Sequence, residues 1–110
     1  MVSFIEPGRL RTELALEDAV LAHDEAGGHV EHWHEIATVF ASLEPQRADM
    51  RLGGDQTLES VTHRVTLRFR DAVKSGMRFR SGNRLFAIVT VHDPDETGRY
   101  MICRTREEGR

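Results

Sequence analysis

Four histidines and two glutamates are the side chains of this chain whose types could bind a metal ion. They are His29, His32, His34, His63, Glu31 and Glu35. On a β-strand, His32 and His34 share one face at an i, i+2 spacing that can chelate, with a third ligand from a neighbouring strand. The set matches no recognised ligand motif, and histidines at a strand end are more often solvated or interface side chains. The sequence therefore predicts no metal and no cofactor.

Nucleophilic catalysis has one candidate, the single cysteine Cys103, with His92 as an imaginable base. A catalytic nucleophile needs a base held within hydrogen-bond reach, whereas a lone cysteine on a strand is more often a small buried hydrophobe. One cysteine also excludes an internal disulfide and the usual cysteine-based zinc site, and it fits synthesis in a reducing cytoplasm. We predict no catalytic residues and no enzymatic activity.

Charge is distributed unevenly along the chain. Residues 1–59 carry 4 basic and 12 acidic side chains, whereas residues 60–110 carry 11 basic and 6 acidic ones. If the halves lie on different faces, copies could dock acidic surface to basic surface around a ring; strand faces that mix the charges in space are the alternative. Arg64, Arg68 and Arg70 are candidates for ion pairs between subunits or for contacts with DNA phosphates.

Strands must position these residues. Alternation from Thr12 to Leu21 predicts a first strand, and the Gly27-Gly28 pair predicts a tight turn into a long second strand that ends at Pro45. Both faces of that strand are apolar from Ile36 to Leu43, which predicts burial on both sides there. A hairpin this long exceeds what so small a protein can cover, so we expect its tip to serve an interface. The hairpin and interface residues are Asp24, Gly27, Gly28, His32, Trp33 and His34.

The rest of the chain continues the strand pattern. Strands are predicted over residues 60–70, 77–80, 85–92 and 100–103, with a turn or single helical turn at 71–76. Residues 1–11 are predicted to form an N-terminal arm, 44–59 a long loop and 104–110 a charged tail. The loop residues of interest are Arg47, Asp49, Arg51, Gly53, Gly54, Asp55 and Gln56.

Together these elements predict one domain over residues 1–110. We expect an all-β fold, a small antiparallel barrel or sandwich of about six strands with a long hairpin and one long loop. Residues 1–11 lack a basic region followed by an apolar stretch, so no secretory signal is expected. No apolar run approaches the ~20 residues of a membrane span, so no membrane partner is expected.

Four sequence blocks in this order carry a family resemblance. They are D-E-A-G-G-H-V at 24–30, W-H-E-I-A-T-V-F-A-S-L-E-P at 33–45, T-L-E-S-V-T-H-R-V-T-L-R-F-R at 57–70, and V-K-S-G-M-R-F-R-S-G-N-R-L-F-A-I-V-T-V-H-D-P at 73–94. The chain resembles the head–tail joining proteins of tailed phages, the head-closure or stopper class also found in prophages and gene transfer agents. The blocks at 62–65 and 76–79 are the most telling in combination.

The resemblance implies a structural virion protein with no catalytic residues. It implies a homo-oligomeric ring, six- or twelve-fold, between the portal or adaptor and the tail terminator in the neck of a particle assembled in the bacterial cytoplasm. The ring would retain packaged DNA in the channel and allow tail attachment. The loop at 44–59 corresponds to the part that in this family often reaches the channel or a neighbouring ring.

A second hypothesis is a small nucleic-acid-binding β-barrel. The arginines favour it, but the net charge of −3 and a single lysine argue against a free DNA binder. The predicted strand faces also lack the exposed, interleaved aromatics on which single-strand binders stack bases.

Overall fold

In the computed structural model, the described residues are 7–23, 26–46 and 61–108. After a 3₁₀ turn at Pro7–Arg9, the strands are β1 (Thr12–His23), β2 (His29–Pro45), β3 (His63–Arg68), β4 (Arg78–Ser81), β5 (Arg84–His92) and β6 (Tyr100–Glu108). Every neighbouring pair is antiparallel, and the order β1-β2-β3-β6-β5-β4 closes into a barrel because β4 pairs back with β1. The all-β prediction is confirmed.

The barrel interior is filled by alternate residues of every strand, as the two-residue side-chain period requires. Phe79 and Phe86 are fully buried and face each other in register between β4 and β5. Val73 and Met77, from the β3–β4 connection, join this core. Its members are Leu14, Leu16, Val39, Ala41, Val65, Leu67, Val73, Met77, Phe79, Phe86, Ile88, Met101 and Cys103.

A β-bulge in β2 decides which side chains reach that core. Leu16 pairs with Ala37, but Glu17 pairs with Glu35, so Ile36 is the extra residue. The bulge exchanges the two faces of β2, because strand side chains alternate. The predicted burial of both faces from Ile36 to Leu43 is wrong: Ile36 at the bulge is 48% exposed, and Phe40, on the face opposite buried Val39 and Ala41, is 55% exposed.

The same bulge sets the face of Trp33. Strict alternation along β2 predicts that Trp33 shares a face with Ala37 and Val39. Val39 is buried in the core, whereas Trp33 contacts Arg78 on the outside of the barrel. Alternation also places Val20 of β1 with Leu14 and Leu16, but Val20 is 49% exposed because the barrel has ended before it.

Several predicted boundaries also change. β2 includes Glu44 and Pro45, which pair with β3, so the expected loop begins later and residues 47–60 lie outside the described residues. β6 reaches Glu108, so most of the expected charged tail is strand, paired with β3 and β5. Phe69 was expected to face inward, but β3 ends at Arg68 and Phe69 is 39% exposed.

Two tight turns follow their glycine signals. Gly27 has φ +88° and the strands it joins pair from His23 and His29, as the hairpin prediction requires. Gly82 has φ +61° at the first position of the two-residue turn between β4 and β5, the position at which type II′ turns favour glycine.

Across 7–23, 26–46 and 61–108, no helix is long and apolar enough to cross a membrane.

Candidate assembly interface

The outer part of the β1–β2 hairpin projects from the barrel as a two-stranded ribbon, here residues 18–23 and 29–34. In the described pairings, β4 joins β1 only at Ala15–Glu17 and β3 joins β2 only at Ala41–Pro45. The ribbon strands therefore pair only with each other. The chain's radius of gyration is 15.3 Å and its longest dimension 53 Å, against about 13 Å for the radius of gyration of a compact domain of this length.

The ribbon exposes apolar side chains that a lone subunit leaves uncovered. Leu21 is 65%, Val20 49% and Val30 42% exposed. A two-stranded hairpin is marginally stable in water on its own, and open strand edges readily pair with another chain. Exposed apolar residues on such edges indicate a protein–protein interface.

A cluster of charged residues fixes the root of the ribbon to the barrel wall. Glu17, only 5% exposed, accepts hydrogen bonds from Arg78 Nε at 2.7 Å and Arg80 Nε at 2.6 Å. Arg80 also lies 3.5 Å from a carboxylate oxygen of Glu35, and the Arg78 guanidinium stacks 4.0 Å from the centre of the Trp33 ring. These contacts join β1, β2 and β4 where the ribbon leaves the barrel.

The electrostatics of Glu17 follow from this geometry. Burial raises the pKa of the carboxyl group, but the hydrogen bonds and charges of Arg80 and Arg78 lower it more, so the pKa lies below its ordinary 4.5. Glu17 is therefore ionised at neutral pH. Arg78 and Arg80 lie on β4, so their charge-assisted hydrogen bonds to Glu17 hold the root of the ribbon against that strand.

Of the histidines proposed as metal ligands, the side chain of His29 lies outside the described part of the structure, and His63 is not brought to His32 and His34. His32 and His34 are exposed on the ribbon, whereas His63 lies opposite Pro45, at the far end of β2. The His63 ring packs edge-on against Phe86 at 5.1 Å, and burial lowers its pKa, with the Glu107 charge opposing and the Arg84 charge assisting. Within the described ranges, no three His, Cys, Asp or Glu residues are grouped to hold a metal ion.

Cys103 is a core residue. It is fully buried opposite Val65 and Val91, and burial raises the pKa of its thiol to about 12. His92 pairs with Ile102, on the neighbouring position of the ladder. The thiol is protonated and inaccessible, which fits packing and not nucleophilic chemistry.

The three arginines singled out on β3 and just after it have different surroundings. Arg64 donates two hydrogen bonds to Glu44, at 3.0 and 2.8 Å, across the β2–β3 ladder. The Arg68 guanidinium lies 5.8 Å from the centre of the Tyr100 ring. Arg68 and Arg70 form no ion pair with any carboxylate of the described residues.

The other proposed interface residues also differ in where they lie. Gly28 and the exposed turn residue Gly27 lie at the tip of the ribbon, and Trp33 at its root, where its Nε1 donates to Glu31 at 3.3 Å. Asp24 lies outside the described residues, as do the loop residues Arg47, Asp49, Arg51, Gly53, Gly54, Asp55 and Gln56. Their proposed roles stay predictions.

Sequence reasoning missed two features of the surface. Glu17 was placed on a polar strand face, but nothing in the sequence showed that β4 would close against β1 and bring Arg78 and Arg80 to it. An apolar groove of about 550 Å³ between β2 and β3 was also missed. The sequence offered one indication of this groove. The second strand is apolar on both faces from Ile36 to Leu43, and we interpreted that pattern as burial on both sides. The groove is lined by Leu10, Thr38, Val39, Phe40, Leu67, Arg68, Phe69 and Arg70.

The fold and this surface define a small closed barrel with a projecting ribbon, a form suited to assembly with other subunits. A family model described as phage head completion protein matches residues 5–108. The chain belongs to the phage head completion protein family.

Solved structures agree with this assignment. A chain in the virion of a native gene transfer agent particle is 31% identical, with a TM-score of 0.70, covering 92% of this chain and 96% of that one. Protein SF1141 from Shigella flexneri 2a, solved in solution, shares the fold at 20% identity and a TM-score of 0.69, over 96% of this chain and 98% of that one. None of the curated proteins matches the chain in sequence. The chain is thus a structural protein of the phage or gene transfer agent virion type, which supports a connector role.

Proposed function

We propose that this protein is a head-closure connector: a ring of identical subunits between the portal or adaptor and the tail terminator, retaining DNA and receiving the tail. The observation that carries the proposal is the ribbon, residues 18–23 and 29–34, with open edges and exposed Leu21, Val20 and Val30. Family membership and the similar chain in a gene transfer agent virion support it.

A closed barrel supplies the rigid part of such a subunit. All barrel strands have two neighbours, so the body offers few open edges and does not pair indiscriminately. The ribbon is the exception, and a contact between one surface and a different surface of the next copy generates a ring when the rotation closes. In this proposal, the ribbon alone has to recognise a specific surface of the next subunit.

The chain between β2 and β3 is proposed to narrow the channel or grip the next ring. Its ends are fixed, because the Gln46 amide donates to the Thr62 carbonyl at 2.8 Å. Deleting residues 47–56 leaves five residues to join Gln46 to Thr62, a length that hairpin connections commonly have. The deletion should therefore preserve the barrel.

The test is complementation of particles that lack this chain with the 47–56 deletion. We expect a folded protein by circular dichroism, but heads that lose DNA and carry no tails by electron microscopy. The full-length chain is the matched control. Normal numbers of tailed, infectious or transducing particles from the deletion would contradict the role of the loop.

A nucleic-acid-binding barrel stays the second candidate, and one observation favours it. Phe40 and Phe69 are 55% and 39% exposed beside Arg68 and Arg70, which resembles a surface for stacking bases. Against it, the face offers two aromatic rings only, on a protein of net charge −3. Fluorescence anisotropy with labelled single-stranded DNA at low salt separates the candidates, since tight and salt-sensitive binding by the purified chain would support this one.

A further inference from the structure

We propose that the ribbon of one subunit seats in the apolar groove between β2 and β3 of the next subunit. This inference rests on the proposed ring and specifies its subunit contact. The partner of the groove is a second copy of this chain. Both surfaces expose apolar side chains among the described residues, and their charged side chains have opposite signs.

The groove exists because β2 is longer than its neighbour. β3 pairs with β2 only from Ala41 onward, so Phe40 has no neighbour on that side and stays 55% exposed. Phe69, just past the end of β3, and Leu10, before β1, complete the apolar lining. Aromatic residues in a concave surface are typical anchors of a protein–protein contact.

Charge matches the ribbon to the groove. Residues 18–34 contain four carboxylates, Asp18, Asp24, Glu25 and Glu31, and no lysine or arginine. Arg68 and Arg70 line the groove without an ion-pair partner among the described residues. Opposite charges favour ribbon-to-groove docking, while the like charges of two ribbons disfavour pairing of ribbons with each other.

The strand order keeps the ribbon away from the groove of its own subunit. The strands at the root lie in the order β4, β1, β2, β3, and the groove is on the β3 side. The Glu17 contacts to Arg78 and Arg80 hold the root on the β4 side. The groove must therefore receive the ribbon of a different copy, and such a head-to-tail contact can close into a ring.

Cross-linking in assembled particles tests the contact. In a Leu21→Cys/Phe69→Cys chain, treatment with a short bismaleimide should give a ladder of multimers on a denaturing gel. Cys103 is fully buried with a thiol pKa of about 12, so it adds no background. The matched control is Leu21→Cys/Val89→Cys, because Val89 is as exposed as Phe69 (38% against 39%) but lies on β5, across the barrel from the groove. This control should give no ladder.

Charge-reversal variants test the same contact independently. Arg68→Glu/Arg70→Glu should reduce the cross-linked fraction about tenfold or more, since like charges would then face each other. Adding Asp18→Arg/Glu31→Arg to the same chain should restore the ladder. Arg104→Glu/Arg106→Glu on β6 changes the net charge equally and should leave the ladder intact.

The alternatives give different results. A ring visible by electron microscopy without Leu21–Phe69 cross-links, or cross-linking of Leu21→Cys alone through paired ribbons, would overturn the inference and leave the proposed ring standing. Absence of the chain from the neck of the particle would overturn both. Binding of labelled single-stranded DNA that depends on Arg68 and Arg70, without a ladder, would assign the groove to nucleic acid instead.

Discussion

The two halves of the β1–β2 hairpin differ in strand neighbours and in exposure. Near the barrel, β1 and β2 each have a second neighbour, and Leu14, Leu16 and Ala41 are fully buried. Beyond the bulge at Ile36 the same strands form the ribbon, and Leu21 is 65% exposed. One continuous pair of strands thus forms barrel wall at one end and the ribbon, our proposed docking element, at the other. For the leucines of β1, the number of neighbouring strands, and not the residue type, decides whether the side chain is buried.

Two leucines of β1 give the largest expected contrast. Leu16→Ala should lower the free energy of unfolding by about 2–5 kcal/mol, because it removes fully buried contacts and leaves a cavity. Leu21→Ala should change it by no more than about 0.5 kcal/mol, as for most exposed positions. Urea denaturation of the isolated chain measures both. A loss at Leu21 equal to that at Leu16 would show that the ribbon folds back onto the barrel in solution.

The ion pairs at the ribbon root and at the end of β2 give the next contrast. Glu17→Gln should cost about 1–3 kcal/mol, because it leaves two arginines at a partly buried site without their carboxylate. Glu44→Gln, which breaks the exposed pair with Arg64, should cost less than about 1 kcal/mol. Thermal unfolding compares the two variants. Equal losses would mean that the cluster at the ribbon root contributes no more than a surface pair.

Two residues should give separate pH windows of stability. The folded-state pKa of Glu17 is below 4.5, so its contribution is complete above pH 4.5 and is lost as pH falls through the lower pKa. The pKa of His63 is below 6.5 because burial favours the neutral ring, so the folded state loses stability as pH falls from 6.5 through that lower pKa. The melting temperature should therefore decline in two steps on acidification.

Variants assign the steps. His63→Gln should remove the decline that begins near pH 6.5, and Glu17→Gln the one that begins near pH 4.5. Glu44→Gln is the control for the acid step, because Glu44 forms an exposed ion pair with Arg64 away from the ribbon. An unchanged acid step in Glu17→Gln would assign that step to other carboxylates.

The smallest expected effect is at Cys103. Burial raises its thiol pKa to about 12, so the native chain should resist thiol reagents at pH 8 and react only through opening of the barrel. The labelling rate with a chromogenic disulfide should rise steeply in urea. Leu21→Cys should react at once in the native state, because Leu21 is exposed on the ribbon. The two labelling rates therefore compare barrel wall and ribbon by chemical access and not by stability.

Much of the barrel could be predicted from local patterns. Alternation placed β1 and β3, and the Gly27-Gly28 pair placed the turn between β1 and β2, because positive φ favours glycine. The family resemblance followed from blocks of sequence in order and agrees with the family match over residues 5–108. The metal hypothesis needed a third ligand beside His32 and His34 from a neighbouring strand, and the candidate His63 pairs instead with the far end of β2.

The errors share a physical cause. A sequence shows which residues are apolar, but β2 is apolar on both faces, and periodicity does not reveal whether a strand has one neighbour or two. Ile36 and Phe40 were expected to be buried, and the bulge with the short β3 leaves them exposed.

The sequence by itself determined the strands, the tight turns and the family, because these depend on residues close together in the chain. Only the tertiary structure decided the closure of β4 on β1, the buried charge of Glu17 and the groove in which Arg68 and Arg70 flank Phe69. Those features depend on register and on which strand edges stay open, and both are set by contacts between residues far apart in sequence.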